Sequence, residues 1–248
     1  MSIQVPIINA RVPYINGLGL TRTGNTTVTV ASGAASDSTN VNDITLGALV
    51  TFTGTTVGVN GVDVAAIIAS TFYAVYLIGD STGYKTTACL ASLSFTTPSL
   101  PFGYDMYRRI GSILTDGSSH VLQFWQIAGS GGSRRMYYDV GISVLSGGTS
   151  TTYANVDLSA AVPQNATTEV LFDIAFTANA ATDIAQFLIY GSSATNGFVR
   201  YGTGVAAAQV GQIIVPCAPN TAKPEIQYKV TSGSDSLTLL VTGYNDYL

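Results

Sequence analysis

The apolar residues of this chain come in short runs, and Gly, Asn, Asp, Ser or Pro divides each run from the next. Heptads and helical periodicity are nearly absent, so the chain has little from which to build helices. Candidate strands are Thr26–Ala31, Asp43–Val50, Thr71–Ile78, Ala88–Phe95, Arg108–Thr115 and His120–Ile127. Further along come Met136–Leu145, Thr168–Thr177, Ala185–Tyr190, Phe198–Tyr201, Gly211–Pro216, Glu225–Val230 and Leu237–Tyr244. Many short strands at even spacing are the signature of sandwiches and barrels. The one helical candidate is the short Val64–Ala69. In Leu237–Thr242, Thr238 and Thr242 oppose Leu237, Leu239 and Val241, while Leu240 breaks the alternation. Thr71–Ile78 is apolar on both faces, which predicts a central strand or one covered by another subunit.

The expected fold is therefore all-β, with two β-sandwich (jelly-roll-like) domains joined by a Gly/Ser-rich connection. The boundaries follow composition. Residues 1–20 read as an extended arm, with Pro6 and Pro13 blocking helix, and residues 21–128 as a first β domain. Gly129–Ser133 reads as a linker, and residues 134–248 as a second β-sandwich domain. The same Gly/Ser stretch also fits a long hairpin loop inside one domain.

Charged residues make up 10% of the 248, and the net charge is −4. A nucleic-acid grip needs a basic stripe to displace counterions, so that function class is not expected. Arg108-Arg109 and Arg134-Arg135 are the only basic doublets, suited to local carboxylate pairing or to a subunit contact. No apolar run approaches the length of a membrane span, and the first residues lack the charged and apolar regions of a signal peptide. Cys89 and Cys217 stand outside any metal spacing and read as two separate buried thiols.

Catalytic patterns are thin. Gly79-Asp80-Ser81-Thr82-Gly83 matches the nucleophile-elbow pattern, but a turn and a strand follow it where a hydrolase needs a helix. His120 is the only histidine and has no second ligand nearby in the sequence. Asp105, Asp116, Asp139, Asp173, Glu169 and Glu225 could in principle meet as the acid pair of a glycosidase. No metal or cofactor is expected. The tyrosines read first as sheet surface and second as flat, amphipathic contacts for sugars or proteins.

Recognition enters between Phe72 and Trp125. The order is Phe72–Ile78, Thr82-Gly83-Tyr84, Leu90–Pro98, Leu100-Pro101-Phe102-Gly103-Tyr104-Asp105, then Arg108-Arg109-Ile110-Gly111-Ser112-Ile113. It resembles a module of virion structural proteins of tailed bacteriophages, tail-fibre and tail-associated proteins among them. Pro13–Leu18 is similar to that module's opening, and the second half carries a weaker likeness. The resemblance implies a non-enzymatic tail-fibre or baseplate-type appendage contacting the host surface. It also implies a homo-oligomer (a trimer), other virion proteins as partners, a host glycan or protein as target, and location in a virion assembled in the host cytoplasm. The alternatives are a capsid-decoration or head-fibre protein and a polysaccharide-cleaving tail enzyme. The chain departs from long fibres in having no coiled-coil shaft and no collagen-like repeat. Candidate contacts are the apolar arm residues Ile3, Val5, Ile7 and Ile8, the arginines Arg108, Arg109, Arg134 and Arg135, and Tyr137 and Tyr138.

Overall fold

The computed structural model describes residues 12–128, 132–164, 167–192, 197–202, 204–219 and 223–248. The chain is all-β. Its first strands are β1 (Ile15–Gly17), β2 (Leu20–Arg22), β3 (Thr27–Val30), β4 (Gly33–Ser36), β5 (Asp43–Leu46), β6 (Val50–Thr53) and β7 (Gly61–Val62). Then come β8 (Phe72–Gly79), β9 (Ala88–Ser92), β10 (Met106–Leu114) and β11 (Phe124–Ala128). The second half holds β12 (Arg134–Gly148), β13 (Ala154–Asp157), β14 (Thr167–Thr177), β15 (Ile184–Ile189) and β16 (Val199–Gly202). It ends with β17 (Ala208–Pro216), β18 (Ala218–Pro219), β19 (Pro224–Val230) and β20 (Ser236–Asp246).

In the second half the pairing is nested. β12 pairs with β20, β13 with β19, β14 with β17, and β15 with β16, all antiparallel. One sheet then reads β12-β20-β14-β17 and the facing sheet β13-β19-β15-β16, with the short β18 also paired to β19. A long hairpin rolled up on itself gives this order, the jelly roll. Alternation supplies the core: Val170, Phe172, Ile174 and Phe176 of β14 and Leu237, Leu239 and Val241 of β20 all point inward. They meet Phe187, Ile226 and Val230 of the facing sheet in the same core. Thr238 and Thr242 lie on the other face, as their spacing predicts, and Leu240 is only half-buried there.

The first half carries two three-stranded sheets, β1-β4-β5 and β2-β3-β6, and a mixed sheet, β10-β8-β9-β7. β8 is central, and its second apolar face is covered by the chain itself. Phe95, Leu100, Tyr104 and Tyr107 pack over Tyr76, Ile78 and Leu90 there. The Pro98–Asp105 segment is therefore a lid on this sheet, and Gly103 adopts the positive φ (+86°) that a side chain would resist.

Val64–Ala69 forms no helix. Its apolar residues do not share one face: Ile67 is buried against Gly54, while Val64 and Ile68 are exposed. Asp43–Val50 is also not one strand. It breaks at Gly47, and its ends, β5 and β6, join different sheets. Of the expected arm, residues 1–11 lie outside the described residues, with Ile3, Val5, Ile7 and Ile8 among them. From Ile15 onward the chain is in strand β1, and Leu18 and Leu20 are core residues.

β11 pairs with β12, Ala128 opposite Arg134, and so adds a fifth strand to the β12-β20-β14-β17 sheet. Gly129–Ser133 thus links neighbouring antiparallel strands of one sheet. Residues 129–131 of that link lie outside the described residues. The larger of the two buried clusters among the described residues runs through both halves.

Polar contacts fix the seam. Arg109 donates two hydrogen bonds to the Asp246 carboxylate, at 2.8 and 2.9 Å, and Ser112 Oγ donates to the same carboxylate at 3.2 Å. Ser112 Oγ also shares a 2.8 Å hydrogen bond with the Tyr244 hydroxyl. Residues three apart on a regular strand face opposite ways. A bulge between Arg109 and Gly111 puts Arg109 and Ser112 on one side. Burial pushes the Asp246 carboxyl above its ordinary value, and the Arg109 guanidinium draws it partly back.

Removing one member of a buried pair strands the other, at a cost of about 3 kcal/mol. Asp246→Ala should lower urea-unfolding stability by about that amount, and Arg109→Met/Asp246→Leu by less than the two single losses combined. Additive losses would show that the pair does not couple.

Candidate functional site

The nucleophile-elbow pattern is a hairpin tip between β8 and β9. Asp80 Oδ1 accepts hydrogen bonds from the Thr82 amide and hydroxyl, and Oδ2 from the amides of Tyr84 and Lys85. These bonds hold the Asp80 carboxyl below the ordinary carboxylate value. Ser81 donates its hydroxyl to Asp105, which ties this turn to the Pro98–Asp105 lid. Tyr104 adds a bond from its hydroxyl to the Thr86 carbonyl at 2.9 Å. The two loops are thus clamped together, and they expose Tyr84 and Phe102, the latter 98% accessible. His120 sits in another turn, 3.7 Å from Asp116 and well away in sequence from Ser81. Asp116 caps that turn through the amides of Ser118 and His120. No cluster of three metal-ligating side chains occurs among the described residues.

The arginines divide. Arg109 is committed to Asp246 and lies 5.7 Å from the Phe95 ring. Arg108 reaches Asn40 and the Leu248 carbonyl, at 3.4 and 3.1 Å. Arg134 is 2% exposed and donates to the Gly17 carbonyl at 2.9 Å, so it serves the junction between the halves. Tyr138 also points inward, donating to the Ala161 carbonyl and packing beside Tyr244. Arg135 and Tyr137 alternate with these two and lie on the outer face of the β11-β12-β20-β14-β17 sheet.

That outer face is where the candidate residues converge. Register places Trp125, Tyr137, Gly243, Leu171 and Ile214 in one row across five strands. Directly opposed residues share a face. The neighbouring row contains Arg135, Asn245 and Glu169. Arg135 Nε donates to Asn245 Oδ1 at 2.8 Å, and the Asn245 amide donates to Glu169. On the other side of the apolar row, Gln212 Nε2 donates to Asp173 Oδ1 at 2.9 Å.

Between these rows runs a groove of about 620 Å³, lined by Arg135, Tyr137, Asp139, Leu171, Asp173 and Gln212 among others. One wall comes from an interruption of β12. Tyr137 opposes Gly243 and Ile142 opposes Val241, so residues 138–141 bulge from the ladder. Gly243 permits the close approach of β20 to β12, since a Cβ there would lie 2.2 Å from the Met136 carbonyl oxygen. A second hollow of about 350 Å³ shares Asp173 and Gln212 with the first and continues past Ala175 and Val210.

Two of the candidate acids, Asp139 and Asp173, line this groove together. Glu169 stands one row away. Asp105 and Asp116 are turn residues in the first half, and Glu225 is buried and paired with Lys223 at 3.0 Å. Trp125, Leu171, Gln212 and Ile214 were not among the candidates from sequence. Alternation marks them as outward-facing, but only the strand order brings them together.

No protein-family model and no curated protein matches the chain. Among solved structures, it is similar to a carbohydrate binding module (CBM6cm-2) from Cellvibrio mixtus lichenase 5A in complex with cellotriose. Identity is 14%, over 51% of this chain and 87% of that one, with a TM-score of 0.23. A likeness at that score carries no argument about fold or ligand.

Cys89 and Cys217 are buried thiols. Burial pushes their thiols up to about 12 and about 11, so neither is a ready nucleophile. Native protein at pH 8 should leave an aromatic disulfide reagent unreacted, and guanidinium should release two thiols per chain. Rapid labelling of the native protein would contradict this burial.

Proposed function

We propose that this chain is a non-enzymatic structural protein of a phage virion, a tail-fibre or baseplate-type appendage. It contacts the host surface through the groove on the β11-β12-β20-β14-β17 sheet. The single observation that carries the binding role is that groove: an aromatic and aliphatic row flanked by planar polar side chains. The virion setting rests on the motif order from Phe72 to Ile113. In this reading the chain works as a homo-oligomer, a trimer. The clamped loops bearing Tyr84 and Phe102 meet neighbouring copies or other virion proteins. Rigid, exposed aromatics make effective anchors because little order is lost when they are buried.

One observation favours a second reading, a polysaccharide-cleaving tail enzyme: Asp139 and Asp173 share the groove. A glycosidase acid must keep its proton at neutral pH, which takes an apolar enclosure. Asp139 is exposed on the bulge, and Asp173 accepts a hydrogen bond from Gln212.

Immunogold labelling of virions, with antibody raised against residues 134–248, tests the setting. Gold at the tail or its tip is the expected result. Gold over the head would move the chain to capsid decoration, and unlabelled particles would overturn an exposed virion role. Reducing sugar released from host envelope, and lost in Asp139→Asn or Asp173→Asn, would establish the enzyme reading instead.

A further inference from the structure

The chemistry of the groove narrows what it can hold. Peptides that bind sheets usually add to a free strand edge. The groove lies instead over β12, β20, β14 and β17, and the first three of these are paired on both sides. Its charge is also one-sided. Asp139 and Asp173 line it, Glu169 stands beside it, and the one guanidinium there, Arg135, is tied to Asn245. A polyanion, whether nucleic acid, phosphorylated chain or acidic polysaccharide, meets net repulsion. A purely apolar partner would strand the carboxylates and the Gln212 amide without hydrogen bonds.

An uncharged sugar chain meets both demands. A pyranose ring offers an apolar C–H face to an aromatic side chain and a rim of hydroxyls that donate and accept. Tyr137 lines the groove, and Trp125 lies beside it in register, 52% exposed. Carboxylates accept from hydroxyls, while Arg and Gln donate to them. Gln212 is already held by Asp173, and Arg135 by Asn245, so the planar groups are set before a ligand arrives. From Leu171 to Ala175 the two hollows follow β14 for roughly 13 Å at the usual rise per residue, a run of linked rings and not one sugar.

We infer that this groove binds an uncharged, linear glycan, with Tyr137 and Trp125 as the stacking surfaces and Asp139, Asp173, Gln212 and Arg135 addressing its hydroxyls. The inference rests on the preceding reading only in taking the groove as a recognition surface.

Trp125 is the only tryptophan in the chain, so its emission reports on this face alone. The test titrates the full chain with neutral hexasaccharides (gluco-, manno-, galacto- and N-acetylglucosamine-based) and with hexagalacturonate as the acidic comparator. Trp emission and calorimetry are read in parallel. At least one neutral hexamer should bind saturably and shift the emission, and hexagalacturonate should bind more weakly. Tyr137→Ala should weaken that binding about tenfold, the loss of one good stacking contact. Gln212→Ala, at an exposed position, should weaken it too, whereas Leu49→Ser, at an exposed loop position that lines neither hollow, should leave it unchanged. No neutral hexamer binding, tighter binding of the acidic one, or indifference to both groove substitutions overturns the inference. A separate measurement isolates the parent reading. If purified protein blocks virion adsorption in a Tyr137-dependent way yet binds no hexamer, the groove recognises a protein. The surface-contact role then stands and the glycan falls.

Discussion

The carboxylate of Asp246 is wholly buried, and side chains from the other half of the molecule satisfy it. Arg109 supplies charge, and Ser112 supplies a hydroxyl shared with Tyr244. Both donors come from β10 in the first half, while the acceptor sits at the end of β20 in the second. A buried charge tolerates little displacement, because lost hydrogen bonds are not replaced by solvent. The pair therefore sets the position of one half against the other, which area burial alone would leave loosely defined. It also explains the bulge in β10, without which Arg109 and Ser112 could not face the same acid. The cluster extends further: Tyr244 packs edge-on against Phe72 and beside Tyr138.

The groove depends on the same strand. Asp246 and Tyr244 point inward from β20, so Asn245 between them points outward, where it links Arg135 to Glu169. The irregularities of β20 and β12 near Gly243 and residues 138–141 give the outer face its depth. A sheet with unbroken ladders would offer a flatter surface there.

Much of this was legible in the sequence, and the limits have physical causes. Alternation in Leu237–Val241 and the apolar run Phe72–Ile78 gave the right strands, because each has enough residues to set a period. β1, β4 and β7 escaped notice because Ile-Asn-Gly, Gly-Ala-Ala-Ser and Gly-Val, two to four residues each, are too short to set a period. Val64–Ala69 misled because small apolar residues suit a helix locally, yet only Ile67 has a place in the core. Arg135, Tyr137, Asp139 and Asp173 were each singled out, but not as a group. Period two tells which face a residue takes, not which strand lies alongside. Leu171 and Ile214 became neighbours of Tyr137 only through the order β12-β20-β14-β17, which no local pattern encodes.

The nested pairing has a consequence in time. Strand β20 lies between β12 and β14, and it is made after both. Until residues 236–246 have left the ribosome, those two strands lack their shared neighbour, and Arg109 lacks its acid. Before that point β12 and β14 each present an unpaired edge, and the core residues that face β20 lack their cover. Long-range closure of this kind is slow, since loop entropy must be spent before the contacts form. The nascent chain therefore has a long vulnerable interval, during which its low charge gives few repulsive groups to keep copies apart.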